Sequence, residues 1–151
     1  MTFFDYPGEA SPAVATESLL ADASTKDWDD LLAVTSTKEL APGDLLFPPG
    51  SADGALYLVL SGSLEVLSPA RRDSWRRTGV VGAGQVLGEL CFLDGQPATT
   101  LARALEPTRV AALGHDGYAQ LAARRPELAA LLAMDLGRIL AGRVRALEAD
   151  R

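Results

Sequence analysis

Gly84-Gln85-Val86-Leu87-Gly88-Glu89-Leu90-Cys91-Phe92-Leu93-Asp94-Gly95-Gln96-Pro97-Ala98-Thr99-Thr100 is the stretch that decides how this chain is read. Val86-Leu87 reads as the end of a strand. Gly88 lets the backbone approach a neighbour, and Glu89-Leu90 opens one short helical turn. The first amides of such a turn lack intrahelical partners and can point at an anion. Glu89 supplies an acceptor for hydroxyls beside that anion. Thr99 and Thr100, read as opening the next strand, add hydroxyl and amide donors. The stretch predicts a pocket for a sugar-phosphate ligand.

Outward from this stretch, residues 38–113 are short apolar runs separated by turn signals. These signals are Pro42-Gly43-Asp44, Pro48-Pro49-Gly50, Asp53-Gly54, Ser61-Gly62, Gly82-Ala83-Gly84 and Asp94-Gly95. Strands are expected at Leu45–Phe47, Leu56–Leu60, Leu64–Leu67, Trp75–Val81, Thr99–Leu105 and Thr108–Ala112. Short strands punctuated this regularly predict a sandwich or barrel. Helices flank them. Ser24-Thr25-Lys26-Asp27 has the form of a capping box and predicts a helix from Asp27 to Val34. Asp116–Arg124 reads as a second helix. Pro126 starts a third that runs to Glu148, with Leu128, Leu131, Leu132, Leu136, Ile139, Leu140, Val144 and Leu147 at helical spacing. Residues 1–23 form a lead-in whose Phe3, Phe4 and Tyr6 either dock on the body or fray with the terminus.

The chain has 151 residues, which predicts one domain. At this size roughly 70% of the unfolded surface is buried, enough for an ordinary core. Lys+Arg 14 against Asp+Glu 20 gives a net charge of −6, which disfavours non-specific attraction to nucleic-acid backbones. Cys91 is the one cysteine and His115 the one histidine, which excludes an internal disulfide, a thiolate-based zinc site and any two-imidazole constellation. With no signal-peptide pattern and no apolar span, a cytoplasmic location without membrane contact is expected. Cys91, between Leu90 and Phe92, reads as a packed thiol. His115, before a helix, reads as an exposed cap-region residue. Arg71-Arg72-Asp73-Ser74-Trp75-Arg76-Arg77 reads as a solvated hairpin. No base, nucleophile and orienting group come together in the sequence, so an enzyme is not expected.

The ordered pieces Ala41-Pro42-Gly43-Asp44, Leu56-Tyr57-Leu58-Val59-Leu60-Ser61-Gly62-Ser63-Leu64-Glu65-Val66, Gly84 to Leu90 and Gly95-Gln96-Pro97 resemble the cyclic-nucleotide-binding domain family. That family includes catabolite activators and kinase regulatory subunits. The resemblance covers about residues 24–148. It implies a mainly β domain, an eight-stranded antiparallel jelly-roll barrel over about 37–113, with a short N-terminal helix and a long C-terminal helical segment over about 115–149. It implies a ligand cassette of Gly88, Glu89, Leu90, Ala98, Thr99 and Thr100. In the family, the glutamate at the Glu89 position accepts from the ribose 2′-hydroxyl, and an arginine after the Gly-x-Pro step pairs with the cyclic phosphate.

Here that arginine position holds Ala98. A hydrogen bond to a charged group contributes roughly 1.5–3 kcal/mol, so one lost contact weakens binding about 10- to 150-fold. Arg103 does not replace it, because strand alternation turns it to the opposite face. Arg109 lies on the next strand and has no place assigned from sequence. The expectation is a regulatory or sensor module with weakened or lost cAMP or cGMP binding; the alternative is a ligand-free interaction or dimerisation scaffold. No cofactor is expected beyond a cyclic nucleotide or other sugar-phosphate ligand. Leu136, Ile139, Leu140, Val144 and Leu147 are expected to form a homodimer seam, as the resemblance implies. The effector partner is not named by the sequence. The chain stops at Arg151, so no second domain that reads DNA is expected.

Overall fold

The alternation of residues along Leu56–Ser61 organises the molecule. In the computed structural model, which describes residues 18–47, 50 and 53–150, the first four residues of this strand are all buried. Leu56 and Leu58 point to one apolar cluster, whereas Tyr57 and Val59 point to another. A strand covered on both faces must be apolar at every position, which is why this run carries no polar alternation.

Among the described residues, eight antiparallel strands make two sheets. They are β1 (Ser36–Leu40), β2 (Leu45–Phe47), β3 (Leu56–Ser61), β4 (Ser63–Pro69), β5 (Trp75–Gly82), β6 (Val86–Leu87), β7 (Leu101–Ala104) and β8 (Thr108–Leu113). Their orders are β1-β8-β3-β6 and β2-β7-β4-β5. The sheets face each other as a jelly roll and do not close into a barrel. Leu64, Val81, Ala102 and Val110 fill the space between them. The expected strand at Thr99 starts two residues later, at Leu101, and Thr99-Thr100 form a bend before it. β1 was not anticipated: Ser36 to Glu39 are all exposed, and the strand exists because it pairs with β8 from Ser36↔Ala112 to Leu40↔Thr108.

The third layer is helical: α1 (Thr25–Leu32), α2 (Glu89–Asp94), α3 (His115–Arg124) and α4 (Pro126–Ala149). The capping box is formed, with Ser24 Oγ accepting from Asp27 N–H and the Asp27 carboxylate accepting from Ser24 N–H. Arg125, between α3 and α4, ties α1 down through Asp27 and Asp30 and also pairs with Glu127. Gly117 is required where α3 meets the end of α1, because a Cβ there would lie 2.3 Å from the Val34 carbonyl oxygen.

Two sequence expectations are corrected. Leu19 and Leu20, inside the expected lead-in, pack in the core; Leu19 N–H donates to the Gly84 carbonyl and Leu20 N–H to the buried Asp135 carboxylate. Leu136 and Ile139, assigned to a dimer seam, are also core residues, packed with Leu128 and Leu132 on the chain's own sheet. Leu140 is half-buried, and only Val144 and Leu147 of those five are exposed. The buried stripe follows helical geometry from Leu132 through Leu136 and Ile139 to Arg143, and Val144 and Leu147 leave that line. Phe3, Phe4, Tyr6 and the Pro48-Pro49 turn lie outside the described residues. No helix among the described residues is long and apolar enough to cross a membrane.

Candidate functional site

A cleft of about 330 Å³ opens where the inner face of β4-β5-β7 meets α2, the loop after it and the far part of α4. That volume suits a small organic ligand. Its floor is apolar, from Phe47, Val66, Val81 and Ala102. All six residues expected to form the cassette line it: Gly88, Glu89, Leu90, Ala98, Thr99 and Thr100.

Gly88 sets the direction of the chain here. It adopts φ 76° as the N-cap of α2, and a Cβ would lie 2.7 Å from the Ala55 carbonyl oxygen. Any side chain is excluded both by the left-handed conformation and by that contact. The turn places Glu89 at the cleft wall. Leu90 is largely exposed at the lip, and Phe92 is buried beneath, stacked edge-on against His115 with ring centroids 5.0 Å apart. His115 Nε2 is 2.7 Å from the Phe92 carbonyl oxygen, so α2 and the start of α3 are joined directly. His115 is exposed, as expected, yet has this structural partner.

Arg143 is the residue that sequence reasoning missed. Its Nη1 lies 2.9 Å from Glu89 Oε2, and its Nη2 donates to the Val86 carbonyl oxygen at 3.1 Å. Both side chains of the pair are mostly buried, at 16% and 12% exposure. The signal was present in the sequence: Leu132, Leu136, Ile139 and Arg143 are spaced four, three and four apart, so a cation occupies the next place in a buried stripe.

Arg103 and Arg109 are engaged elsewhere. Arg103 faces outward on β7 and, with Arg77, clasps Glu65 on the opposite face of the sheet. Burial pushes the Glu65 carboxyl up, but the bonds from Arg103 and Arg77 outweigh it and hold it below the usual range. Arg109 pairs with Glu39 on the exposed edge. Ala98 packs partly on the inner core and leaves the loop side of the cleft without a cation. The loop after α2 thus brings no basic side chain to the cleft, and the cation that lines it is Arg143 of α4.

Cys91 also lines the cleft. Burial first, then the negative charge of Asp94, pushes its thiol up, so little thiolate is present near neutrality. The described residues contain no cluster of three or more His, Cys, Asp or Glu able to hold a metal ion.

This roll with its glycine-glutamate turn is that of a ligand-binding regulatory domain. The chain belongs to the cyclic nucleotide-binding domain family, whose model matches residues 37–125. It is 34% identical over 108 residues to the cyclic AMP receptor protein of Thermus thermophilus, covering 72% of this chain and 47% of that protein. It is 29% identical over 106 residues to a cAMP-dependent protein kinase regulatory subunit of Yarrowia lipolytica, covering 68% and 27%. The crystal structure of Thermus thermophilus catabolite activator protein superposes with a TM-score of 0.76 at 28% identity, covering 86% of this chain and 59% of that one. The chain spans about half the length of the receptor protein it matches.

Proposed function

We propose that this domain is a non-catalytic regulatory module that senses a small ligand in the Glu89 cleft and binds cAMP and cGMP only weakly. The observation that supports this reading is the charge arrangement. Glu89 lines the cleft, where its carboxylate would accept from a sugar hydroxyl, Ala98 stands where the resemblance expects an arginine, and the cation that does face the cleft is already paired with Glu89. The related receptor protein and kinase regulatory subunit are regulators, which supports a signalling role without catalysis. Titration calorimetry with cAMP and cGMP at millimolar concentration tests it. Saturable binding in the high-micromolar to millimolar range is expected; low-micromolar affinity for either nucleotide overturns the proposed weakening, and no binding at all favours the scaffold.

The scaffold reading has its own support on α4. Leu131 and Met134 near its start, and Val144 and Leu147 near its end, are all more than half exposed, while Leu128, Leu132, Leu136 and Ile139 are in the core. The face that carries Val144 and Leu147, an exposed i, i+3 apolar pair, suits a second copy of the chain. Homodimerisation through this face is compatible with ligand sensing, since the same helix carries Arg143 into the cleft.

A further inference from the structure

We propose that Arg143 is the anion-binding residue of the cleft, and that the ligand it takes is a small phosphate- or carboxylate-bearing molecule whose hydroxyls meet Glu89. The inference rests on the reading of this cleft as a ligand site. It moves the positive charge from the loop after α2 to the long helix α4.

Three observations lead to it. Among the described residues that line the cleft, Glu89 and Asp94 are acidic and Arg143 is the one basic side chain. An anion entering the cleft therefore meets its counter-charge on α4. Next, the hydrogen bonding of the guanidinium is incomplete. It has five N–H donors in a planar fork. One nitrogen is on Glu89 and another on the Val86 carbonyl, whereas Nε is buried with no partner among the described residues. A purely structural ion pair that is withdrawn from water stabilises a fold only when its remaining donors are satisfied. An oxyanion that reached this guanidinium would supply the acceptor that Nε lacks. Finally, the other arginines considered for the role are held by Glu65 and Glu39, so neither competes.

The arrangement gives the ligand a direct hold on the helix. An anion bound at Arg143 competes with Glu89 for the guanidinium and frees that carboxylate to accept from ligand hydroxyls. Because Arg143 sits on α4 beside the exposed Val144, the position of that apolar face then depends on what fills the cleft.

The test uses the full chain labelled with nitrogen-15 and follows the arginine Nε–H signals by NMR, that of Arg143 being identified by its loss in Arg143→Met. Inorganic phosphate, cAMP and cGMP are titrated separately, with adenosine and guanosine as uncharged controls. A saturable shift of the Arg143 signal with the anions and not with the nucleosides is expected. Affinity should fall at least tenfold in Arg143→Met and less in Arg143→Lys. An Arg143 signal unmoved by all three anions overturns the proposal; so does an Arg143→Met variant that binds them as tightly or more tightly, which would make the arginine a plug on Glu89. A response to inorganic phosphate with none to either cyclic nucleotide supports the anion site while refuting the cyclic-nucleotide reading. Nucleotide binding that ignores Arg143 does the reverse.

Discussion

Arg143 Nη1 on the long helix α4 lies 2.9 Å from Glu89 Oε2 on the short helix α2, joining the wall of the cleft to the element that carries the exposed Val144 and Leu147. Glu89 is thus held by a cation of the chain itself, 54 positions further along the sequence. Ala98 lines the same cleft, so Arg143 is the one basic side chain among the described residues that line it.

Restoring the loop cation should restore nucleotide affinity. Ala98→Arg places a guanidinium where the family has one, and a charge-assisted contact of roughly 1.5–3 kcal/mol raises affinity for cAMP about 10- to 150-fold. Calorimetry on the variant and the parent chain compares them directly. An unchanged affinity would mean that the loop does not face the phosphate.

The Glu89–Arg143 pair should show strong energetic coupling. Glu89→Ala leaves a mostly buried guanidinium without its counter-charge and should cost about 2–4 kcal/mol, somewhat less than a fully buried pair. Arg143→Met should cost less, because its alkyl stem is retained. The double variant should be more stable than the sum of the single effects implies, by a coupling of about 1–2 kcal/mol in urea unfolding. Additive effects would show that the contact contributes nothing.

Gly88→Ala should destabilise the fold by about 1–3 kcal/mol, since φ 76° disfavours a side chain and the new methyl would sit 2.7 Å from the Ala55 carbonyl oxygen. The same variant should weaken ligand binding by displacing Glu89. Gly95→Ala is the comparison: it has a similar φ but open space around it, so its cost should be the smaller of the two by thermal melting.

Acid should loosen the helical layer first. Hydrogen bonds from Arg125 hold the Asp27, Asp30 and Glu127 carboxyls below their usual values. The unfolded chain therefore binds more protons than the folded one. The stability these groups contribute is fully present above about pH 4.5 and is lost as pH falls through the lowered folded values. Arg125→Gln should flatten the decline in Tm below about pH 4 while lowering Tm at neutrality. An acid limb of unchanged slope would remove Arg125 from this role.

The two faces of α4 should respond oppositely to substitution. Leu136→Ala opens a cavity in the core and should cost about 2–5 kcal/mol. Val144→Glu, on the exposed face, should leave Tm nearly unchanged and convert a dimer to a monomer by light scattering. A mass unaffected by Val144→Glu and by Leu147→Glu would remove this face from any self-association.

Much of the roll was legible because its code is local. Turn residues fall at Gly43, Gly54, Gly62 and Gly84, and between them apolar runs such as Leu56–Leu60 have strand length and strand composition. The capping box at Ser24 and Asp27 was readable for the same reason. β1 was not, because Ser36 to Glu39 are polar and exposed; only the neighbouring β8 supplies the ladder that makes them a strand. Thr99-Thr100 looked like strand by residue type, yet the chain bends there before β7 begins.

By itself, the order of residues determined the roll, the Gly88-Glu89 turn and the absence of a cation at position 98, since each depends on side chains close together in the chain. The tertiary structure decided that Arg143 completes the cleft, that Leu136 and Ile139 are core residues, and that Arg103 and Arg109 are engaged elsewhere. The reason is the reach of the forces involved. Propensity and turn chemistry act over a few residues, whereas an ion pair such as Glu89–Arg143 forms only after packing has brought a distant helix to the sheet. Which face of that helix turns inward depends on the shape of the surface that receives it.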